Sequence, residues 1–437
     1  MAAGGLDIRT WLMNEGPDHG RLWDLNARAN QKVRWGHQFH IFVATLTCLN
    51  IALPMSYLEV PAAVLIGMLF ARLYATWRLY PEFLKLPVFL AATLFAIMSA
   101  VALLWSADPV HGFDDIDSLR WFLLVPALWP LRHLRSWFIF CVTLSYLAAN
   151  TCQLVQALAF EFGWEHLDFD AYPDRISGWL SPASGGSVLI AALGLHLPAA
   201  LKPTHPLRWP ARVLSVISLI AVFATGARGA WIAAALLVAF AIAYAVWQTR
   251  QRTKMLIASC VLAVVALPVG WIVLGDEIQS RVDEANREIR GALESEDYAT
   301  STGARINMWI WGGRAFADNP VLGVGTGGYK AWVQSEQIER GIDPETQPIA
   351  SHAHGMYVHL AATHGVVGLL VSLLVGITIL FASVPRSDES DTYQAGLFMG
   401  IVGVLLAGLF DTVYINAQTA AVLWLFVALS LRPSNKS

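Results

Sequence analysis

Residues 356–383 read MYVHLAATHGVVGLLVSLLVGITILFAS and contain no Asp, Glu, Lys or Arg. A helix needs about 20 apolar residues to cross a bilayer, and this stretch is long enough. The whole chain has the same character, because 56% of its 437 residues are hydrophobic, 14% are charged and the mean hydropathy is +0.51. An ordinary soluble domain carries about 25% charged residues. The sequence therefore predicts an all-α, polytopic membrane protein.

Similar apolar stretches recur along the chain, and we predict about twelve membrane spans from them, with eleven or thirteen as alternatives. The predicted spans are 38–54, 60–78, 86–106, 118–131, 134–160, 184–201, 210–225, 229–248, 254–274, 356–383, 393–410 and 416–431. Gly396, Gly400, Gly403 and Gly408 recur at close-packing spacing in one of them, which indicates a contact between helices.

The positions of Lys and Arg predict the orientation of these spans. If the N-terminus lies in the cytoplasm, 19 of the 29 basic residues fall in cytoplasmic segments and seven fall in one long outside loop. Long loops count little in this rule. The short outside loops then hold Arg120, Arg175 and Arg228 alone. We therefore expect both termini to be cytoplasmic.

This layout divides the chain into five predicted segments. They are a cytoplasmic N-terminal segment (1–36), nine spans (37–274), an outside loop (275–355), three spans (356–431) and a cytoplasmic tail (432–437). The loop is too small and too poor in core residues for an independent domain, so we expect it to cover a cavity above the membrane helices. Within it we predict a charged helix at Asp276–Ser295, a second helix that begins at Ser301 or Thr302 and stops before Asn319-Pro320, and a third that begins at Tyr329.

Composition excludes several classes of protein and site. A formal charge of −3 argues against a nucleic-acid-binding protein. The four cysteines lie in apolar stretches without CxxC spacing, which argues against a disulfide framework or a zinc site. The polar N-terminus lacks the apolar core of a signal peptide, so none is expected. The run Gly323–Gly328 matches G-x-G-x-x-G, but no predicted strand precedes it, so a tight connector is favoured over a dinucleotide site.

Arg228 lies between two apolar spans, in the segment Thr225–Trp231 at the predicted outer boundary of the membrane. One interpretation is that its side chain reaches up to lipid phosphates. The other is a clamp on a phosphate or diphosphate ligand, which the planar guanidinium can bind with two hydrogen bonds. The flanking glycines slightly favour the clamp, because they allow a large ligand to approach the backbone.

A histidine-rich stretch, Ser351–His359, lies where the outside loop returns to the membrane. Histidine has an unperturbed pKa of about 6.5, which suits a general base at neutral pH. His352 and His354 could instead bind a metal, although no carboxylate near them in sequence completes a ligand set, or serve a structural or pH-sensing role. The acidic stretch Asp114–Asp117 is either a second metal candidate or a solvated outside loop.

Four short motifs together resemble the bacterial O-antigen ligase family (lipid A-core:surface polymer ligases), within the O-antigen ligase and polymerase superfamily. They are Arg175-Ile176-Ser177-Gly178-Trp179 through Pro182, Thr225 to Ala230, Gly303-Ala304-Arg305 with Trp309 and Asn319-Pro320-x-x-Gly323-x-Gly325, and His354 with Gly365 and Gly368. Their order and spacing carry the resemblance. Three positions depart from the family pattern: Gly355 replaces a usual Asn, Ser or Gln, His364 replaces a frequent Glu, and Ala183 replaces a common Asn.

The resemblance implies a glycosyltransferase of the C-type fold. The implied reaction transfers O-antigen polysaccharide from undecaprenyl diphosphate to a lipid A-core sugar, with inversion and without a metal or cofactor. It would occur at the periplasmic face of the bacterial inner membrane, among membrane lipids. This setting is physically consistent, because nucleotide sugars are absent outside and the donor must therefore reach the site from the bilayer.

The resemblance also implies roles for particular residues. His354 would be the general base that accepts the proton of the attacking hydroxyl. Arg228 and Arg305 would stabilise the charge that develops on the departing diphosphate, and Arg175 is a third candidate for diphosphate binding. The candidate supporting residues are His352, Tyr357 and Tyr329.

Other functions remain open at the level of sequence. An O-antigen polymerase or a protein O-oligosaccharyltransferase would use the same arginines with a different acceptor. A flippase or transporter of lipid-linked sugars would need ionisable groups deep in several spans. Asp411 is nearly the only charge that lies well away from a cytoplasmic end or the outside face, so surface chemistry is favoured over transport.

Overall fold

Apolar helices dominate the chain, as its hydropathy predicts. A computed structural model describes residues 34–77, 80–164, 178–248, 279–345, 349–385 and 391–432, with the isolated residues 20, 24, 27, 28, 31, 176, 275, 276 and 347. These residues are mainly helical and none of them lies in a β-strand, which confirms the predicted all-α class.

The helices of the described residues are numbered here in chain order. Their bounds are α1 Arg34–Asn50, α2 Met55–Ala71, α3 Pro87–Val101, α4 Pro109–Leu119, α5 Leu124–Leu128, α6 Arg135–Phe162, α7 Pro182–Leu201, α8 Arg208–Ala224, α9 Arg228–Gln248, α10 279–294, α11 Ser301–Asp318, α12 Tyr329–Glu339, α13 Met356–Ser383, α14 Thr392–Ala407 and α15 Ala417–Ser430. Shorter helical turns lie at Leu73–Thr76, Tyr80–Phe83, Ala102–Trp105, Arg120–Leu123 and Trp129–Leu134.

Five helical segments in the described part of the chain are long and apolar enough to cross a membrane. They are Pro87–Trp105, Pro109–Phe162, Ser184–Leu201, Arg228–Trp247 and Met356–Ser383. Shorter apolar helices are Met55–Ala71, Thr392–Ala407 and Ala417–Ser430. A multi-pass membrane protein is therefore supported, whereas the predicted number of twelve spans is not confirmed. The predicted span 254–274 lies outside the described residues.

The chain divides into two units, which are described separately below. The first unit comprises Met1–Met98, Ile116–Leu237 and Leu370–Ser437. The second unit comprises Ser99–Asp115 and Val238–Leu369, and so contains most of the predicted outside loop.

In the first unit, α7 and α14 pack backbone against backbone. A Cβ added at Gly194 would lie 2.5 Å from the backbone nitrogen of Gly400, and one at Gly396 would lie 2.3 Å from a carbonyl oxygen of α7. A Cβ at Gly403 would lie 2.6 Å from the Ile190 side chain of α7, whereas Gly408 follows the last residue of α14. Small residues allow two helices to approach this closely. The predicted helix contact is therefore confirmed for the first three glycines of the run.

In the second unit, α11 and α12 build a core around aromatic residues. Trp311 and Tyr329 are 1% and 0% exposed, and they belong to a buried cluster with Met308 and Val333. Ala362 of α13 belongs to the same cluster. The prediction that the loop is poor in core residues is thus corrected, because two large aromatic side chains fill its interior. This core also contains residues of α13, so it is not built from the loop alone.

The long helix α13 is broken at Gly365, where φ is 63° and ψ is −158°. The turn at 320–325 fits into this break. Two carbonyls before the break (362–363) accept hydrogen bonds from the turn, and two N–H groups after it (366–367) donate to the turn, at 2.8 to 3.3 Å. The backbone groups that the break exposes are thereby satisfied, as membrane helices require.

The break changes the prediction of one continuous span at 356–383. The part after the break, 366–383, is about 27 Å long at 1.5 Å per residue. That length approaches the hydrocarbon thickness of about 30 Å, so this part alone can cross most of a bilayer. The part before the break, 356–364, is instead fastened to the loop core.

Candidate functional site

Arg305 is held in place by the start of α11. Thr300 is the N-cap residue, and its side chain accepts a hydrogen bond from the Gly303 N–H at 3.0 Å. A Cβ at Gly303 would lie 2.5 Å from the Asp297 carbonyl oxygen, so glycine is required there. The Gly303-Ala304-Arg305 motif therefore fixes the helix start, and Arg305 follows half-buried in the second turn.

His354 lies in the short segment that joins the loop to α13. Its backbone φ is 44°, in the left-handed region that residues other than glycine rarely adopt. Ala353 before it is fully buried in the loop core, and Gly355 after it is also buried. The neighbouring residues thus hold His354 in a strained conformation, and such strain is concentrated at functional sites.

Three predicted site residues lie in the second unit: Arg305, His352 and His354. The ring centroids of His352 and His354 are 4.4 Å apart, and Ser351 Oγ lies 3.2 Å from His352 Nδ1. Burial, followed by the nearby charges of His352 and Arg305, lowers the pKa of His354 from 6.5 to about 4. At neutral pH His354 is therefore an uncharged imidazole, which is the form that accepts a proton.

The two predicted supporting tyrosines have different surroundings. Tyr329 is fully buried, and its hydroxyl donates a hydrogen bond to the Met308 carbonyl oxygen at 2.6 Å. Its ring packs edge-on against His359 at 5.6 Å, and burial raises the pKa of Tyr329. Because its one hydroxyl proton is used by a backbone carbonyl, Tyr329 supports the wall of the site by packing. Tyr357, in contrast, is 43% exposed on the first turn of α13.

The glycine run Gly323–Gly328 is enclosed by protein backbone. A Cβ at Gly325 would lie 2.6 Å from the Ser106 Cα, and one at Gly327 would lie 2.2 Å from the Gly112 nitrogen. The run is therefore a closely packed connector, as the sequence favours. The space that a pyrophosphate would need beside these glycines is filled by the chain itself.

His364, which replaces a frequent Glu of the resembled family, links this connector to α13. Its Nε2 lies 3.0 Å from Thr326 Oγ1, and its Nδ1 lies 2.7 Å from Thr363 Oγ1. Thr326 also donates a hydrogen bond to the Ser99 carbonyl oxygen at 2.7 Å. His364 is 3% exposed, so it serves as a buried structural link.

Arg228 lies in the first unit, half-buried at the start of α9. The turn before it is shaped by Gly226, with φ 63°, and by Thr225, whose hydroxyl accepts the Ala227 N–H at 3.2 Å. The start of a helix favours anionic ligands. The glycine at position 229 is required by packing, because a Cβ there would lie 2.5 Å from Phe410 Cβ. A protein contact, and not the approach of a ligand, therefore accounts for this glycine.

The other two arginines of the predicted short outside loops differ from Arg228. Arg175 lies outside the described residues. Arg120, in the first unit, pairs with Glu59 at 2.7 Å and with Asp117. Two carboxylates therefore account for a basic residue in a predicted short outside loop, where Lys and Arg are uncommon.

The acidic stretch Asp114–Asp117 makes separate contacts with protein groups. Asp114 Oδ2 lies 3.9 Å from His111 Nδ1, and the buried Asp115 accepts a hydrogen bond from the Gly327 backbone. Asp115 thus helps to fix the glycine connector, which the sequence did not predict.

Comparison with known proteins adds independent information. Residues 213–373 match the family model described as O-antigen ligase, a range that includes Arg228, Arg305 and His354. An uncharacterized protein of Haemophilus influenzae is 25% identical over 171 residues, which cover 39% of this chain and 42% of that relative. The chain thus spans less than half of the length of this relative. The family match confirms the resemblance seen in the sequence and supports membership of the O-antigen ligase and polymerase superfamily.

Proposed function

We propose that this protein is an O-antigen ligase of the bacterial inner membrane. It transfers O-antigen polysaccharide from undecaprenyl diphosphate to a lipid A-core sugar on the periplasmic side. The reaction inverts the anomeric centre and uses arginines where other transferases use a divalent cation. The family match leaves the acceptor open, and this proposal assigns a lipid A-core sugar as the acceptor.

The proposal depends most on the electrostatic coupling of Arg305 and His354 in the second unit. Arg305 is close enough to His354 to act on its pKa, and His354 is uncharged at neutral pH. A transfer from a diphosphate needs both a cation for the leaving group and a base for the attacking hydroxyl. The two groups are 49 positions apart in sequence. The start of α11 holds the backbone of Arg305, and the buried neighbours Ala353 and Gly355 hold that of His354.

In the proposed reaction, the hydroxyl oxygen of the acceptor sugar bonds to the anomeric carbon of the donor. The bond between that carbon and the diphosphate oxygen breaks, and its electron pair leaves with undecaprenyl diphosphate. His354 accepts the hydroxyl proton. Arg305 stabilises the negative charge on the leaving group. For Arg228 and Arg175, a role in diphosphate binding rests on the family resemblance alone.

Donor binding also makes His354 a better base. The positive charge of Arg305 contributes to the low pKa of His354. A bound diphosphate offsets that charge and therefore raises the pKa of His354. The base thus gains proton affinity when the leaving group is in place.

Reconstitution of the full chain with purified lipid-linked O-antigen tests the function. Three acceptors are offered separately: lipid A-core, a second lipid-linked O-antigen, and an acceptor protein. We expect glycosylation of lipid A-core alone. Product on the second acceptor would identify a polymerase, product on the third a protein O-oligosaccharyltransferase, and either result would contradict the ligase proposal.

Two substitutions test the assigned roles in the same assay. His354→Ala should reduce transfer about 10²–10⁴-fold while donor binding stays nearly intact. Arg305→Ala should weaken both donor binding and turnover. His205→Ala, in the turn between α7 and α8, is the matched control and should transfer normally. Near-normal transfer by His354→Ala would show that another group is the base.

A further inference from the structure

An exposed apolar surface lies beside the break in α13. Val321 and Leu322, in the turn that fits into the break, are 57% and 49% exposed, and Val366, the first residue after the break, is 42% exposed. The Val366 N–H donates a hydrogen bond to the Pro320 carbonyl oxygen at 2.8 Å. The Val367 N–H donates to the Val321 carbonyl oxygen at 3.3 Å. These bonds place the turn directly beside the first residues after the break, within the second unit.

The sequence on both sides of this contact carries no charge. Residues 319–328 read NPVLGVGTGG, and residues 356–383 also lack Asp, Glu, Lys and Arg. Larger exposed apolar patches usually mark a contact with a protein or a membrane, whereas single apolar side chains on a charged surface are ordinary. Ile338 of α12 is of the second kind, because it is 66% exposed but follows Glu336 closely and precedes Glu339 and Arg340.

The length of α13 after the break sets the depth of the turn. Residues 366–383 are about 27 Å long, slightly less than the hydrocarbon thickness of about 30 Å. This segment can cross the hydrocarbon only if Val366 lies at its boundary. Because the turn is hydrogen-bonded to residues 366–367, it lies at the same boundary.

The backbone of the turn limits how far it can enter the membrane. The N–H groups of Val321 and Leu322 have no hydrogen-bond partner among the described residues. An N–H without a partner is costly in the hydrocarbon interior, but it finds acceptors among the lipid head groups and interfacial water. The turn is therefore suited to the boundary itself, with its backbone at the level of the head groups and its side chains among the acyl chains.

We propose that Val321, Leu322 and Val366 form a membrane-anchoring surface whose partner is lipid. The side chains contact the part of the acyl chains next to the head groups. The predicted outside loop is then not held above the membrane by its two ends alone, because a turn in its middle is fastened to the bilayer.

The loop core joins this membrane-anchoring surface to the candidate site. Val324, two residues after Leu322, belongs to the same buried cluster as Ala353, which directly precedes His354. A lipid contact at the turn thus holds His354 close to the membrane surface, where a lipid-linked donor is found. This consequence rests on the proposed function, whereas the anchor itself does not.

The test is the depth of a fluorescent label attached to Leu322→Cys in the full chain, reconstituted in phosphatidylcholine vesicles. Ile338→Cys is the matched control, and the unsubstituted chain, labelled in the same way, gives the background from native cysteines. We expect lipid brominated near the carboxyl end of the acyl chain to quench the label at position 322, and aqueous iodide to leave it largely unquenched. The label at position 338 should respond in the reverse way.

Three results would overturn the anchor. Quenching at position 322 by iodide alone would place the turn in water, and no quenching by either agent would show that protein covers it. Strongest quenching by lipid brominated near the methyl end would place the turn in the hydrocarbon interior. A label on Val321→Cys repeats the measurement in case the first variant misfolds. The readout needs no transfer, so failure of the anchor leaves the ligase proposal untouched.

Discussion

Protonation of His354 should destabilise the folded protein, and His354→Gln should remove that effect. The pKa of His354 in the folded chain is about 4, whereas that of an unfolded histidine is about 6.5. The unfolded chain therefore takes up more protons as the pH falls, and stability is lost as the pH drops from 6.5 towards 4. These two pKa values correspond to a loss of about 2 kcal/mol between pH 7 and pH 5 from this residue alone.

The assay is chemical unfolding of wild type and His354→Gln in the same detergent, at pH 7 and at pH 5. The other titrating groups are common to both proteins, so the difference between the two pH dependences isolates His354. We expect wild type to lose about 2 kcal/mol more than the variant over this interval. Equal losses would show that His354 titrates normally, and the inference that it is a buried, neutral base would be refuted.

Three further predictions concern neighbouring residues. His352→Gln removes one cause of the low pKa of His354, so the pH below which kcat/KM is lost should move from about 4 towards 6.5. An unchanged pH profile would show that His352 does not influence the pKa of His354. Gly365→Ala puts a Cβ 2.4 Å from a backbone carbon at a φ of 63°, so it should lower Tm by several degrees. In the control Gly376→Ala, the added Cβ meets open space, so Tm should rise or stay unchanged. Similar Tm changes in the two glycine variants would contradict the break in α13. Tyr329→Phe removes a buried hydrogen bond to the Met308 carbonyl, which still accepts its helical hydrogen bond, and should cost about 0.5–1.5 kcal/mol of unfolding free energy. An unchanged unfolding free energy would argue against the hydrogen bond from Tyr329.

Local signals predicted the helices of the predicted outside loop well. The expected start near Ser301, the stop before Asn319-Pro320 and the start at Tyr329 agree with α11 and α12. Capping residues and proline act over a few positions, so they can be read without knowledge of the fold. The aromatic core between these helices was not predicted, because its members come from separate segments.

The break in α13 could not be predicted from hydropathy. An average over about 19 residues does not register one glycine, and the whole stretch is apolar. The break depends on a turn some 40 residues earlier, which supplies the missing hydrogen-bond partners. The family resemblance includes Gly365 and the Asn319–Gly325 motif as separate motifs, whereas in the structure they are two sides of one contact.

The arrangement of the candidate site could not be predicted from local sequence either. Arg305 and His354 were selected by resemblance, and their proximity follows from packing that no spacing rule encodes.

The most direct test of the proposed site is the pKa of His354, measured by NMR in the full chain with and without a short polyprenyl diphosphate. We predict a pKa near 4 in the free protein, a higher value with the diphosphate bound, and no such rise in Arg305→Gln. A pKa that does not respond to a bound diphosphate would mean that the imidazole and the leaving-group site are not coupled, which would contradict the central claim.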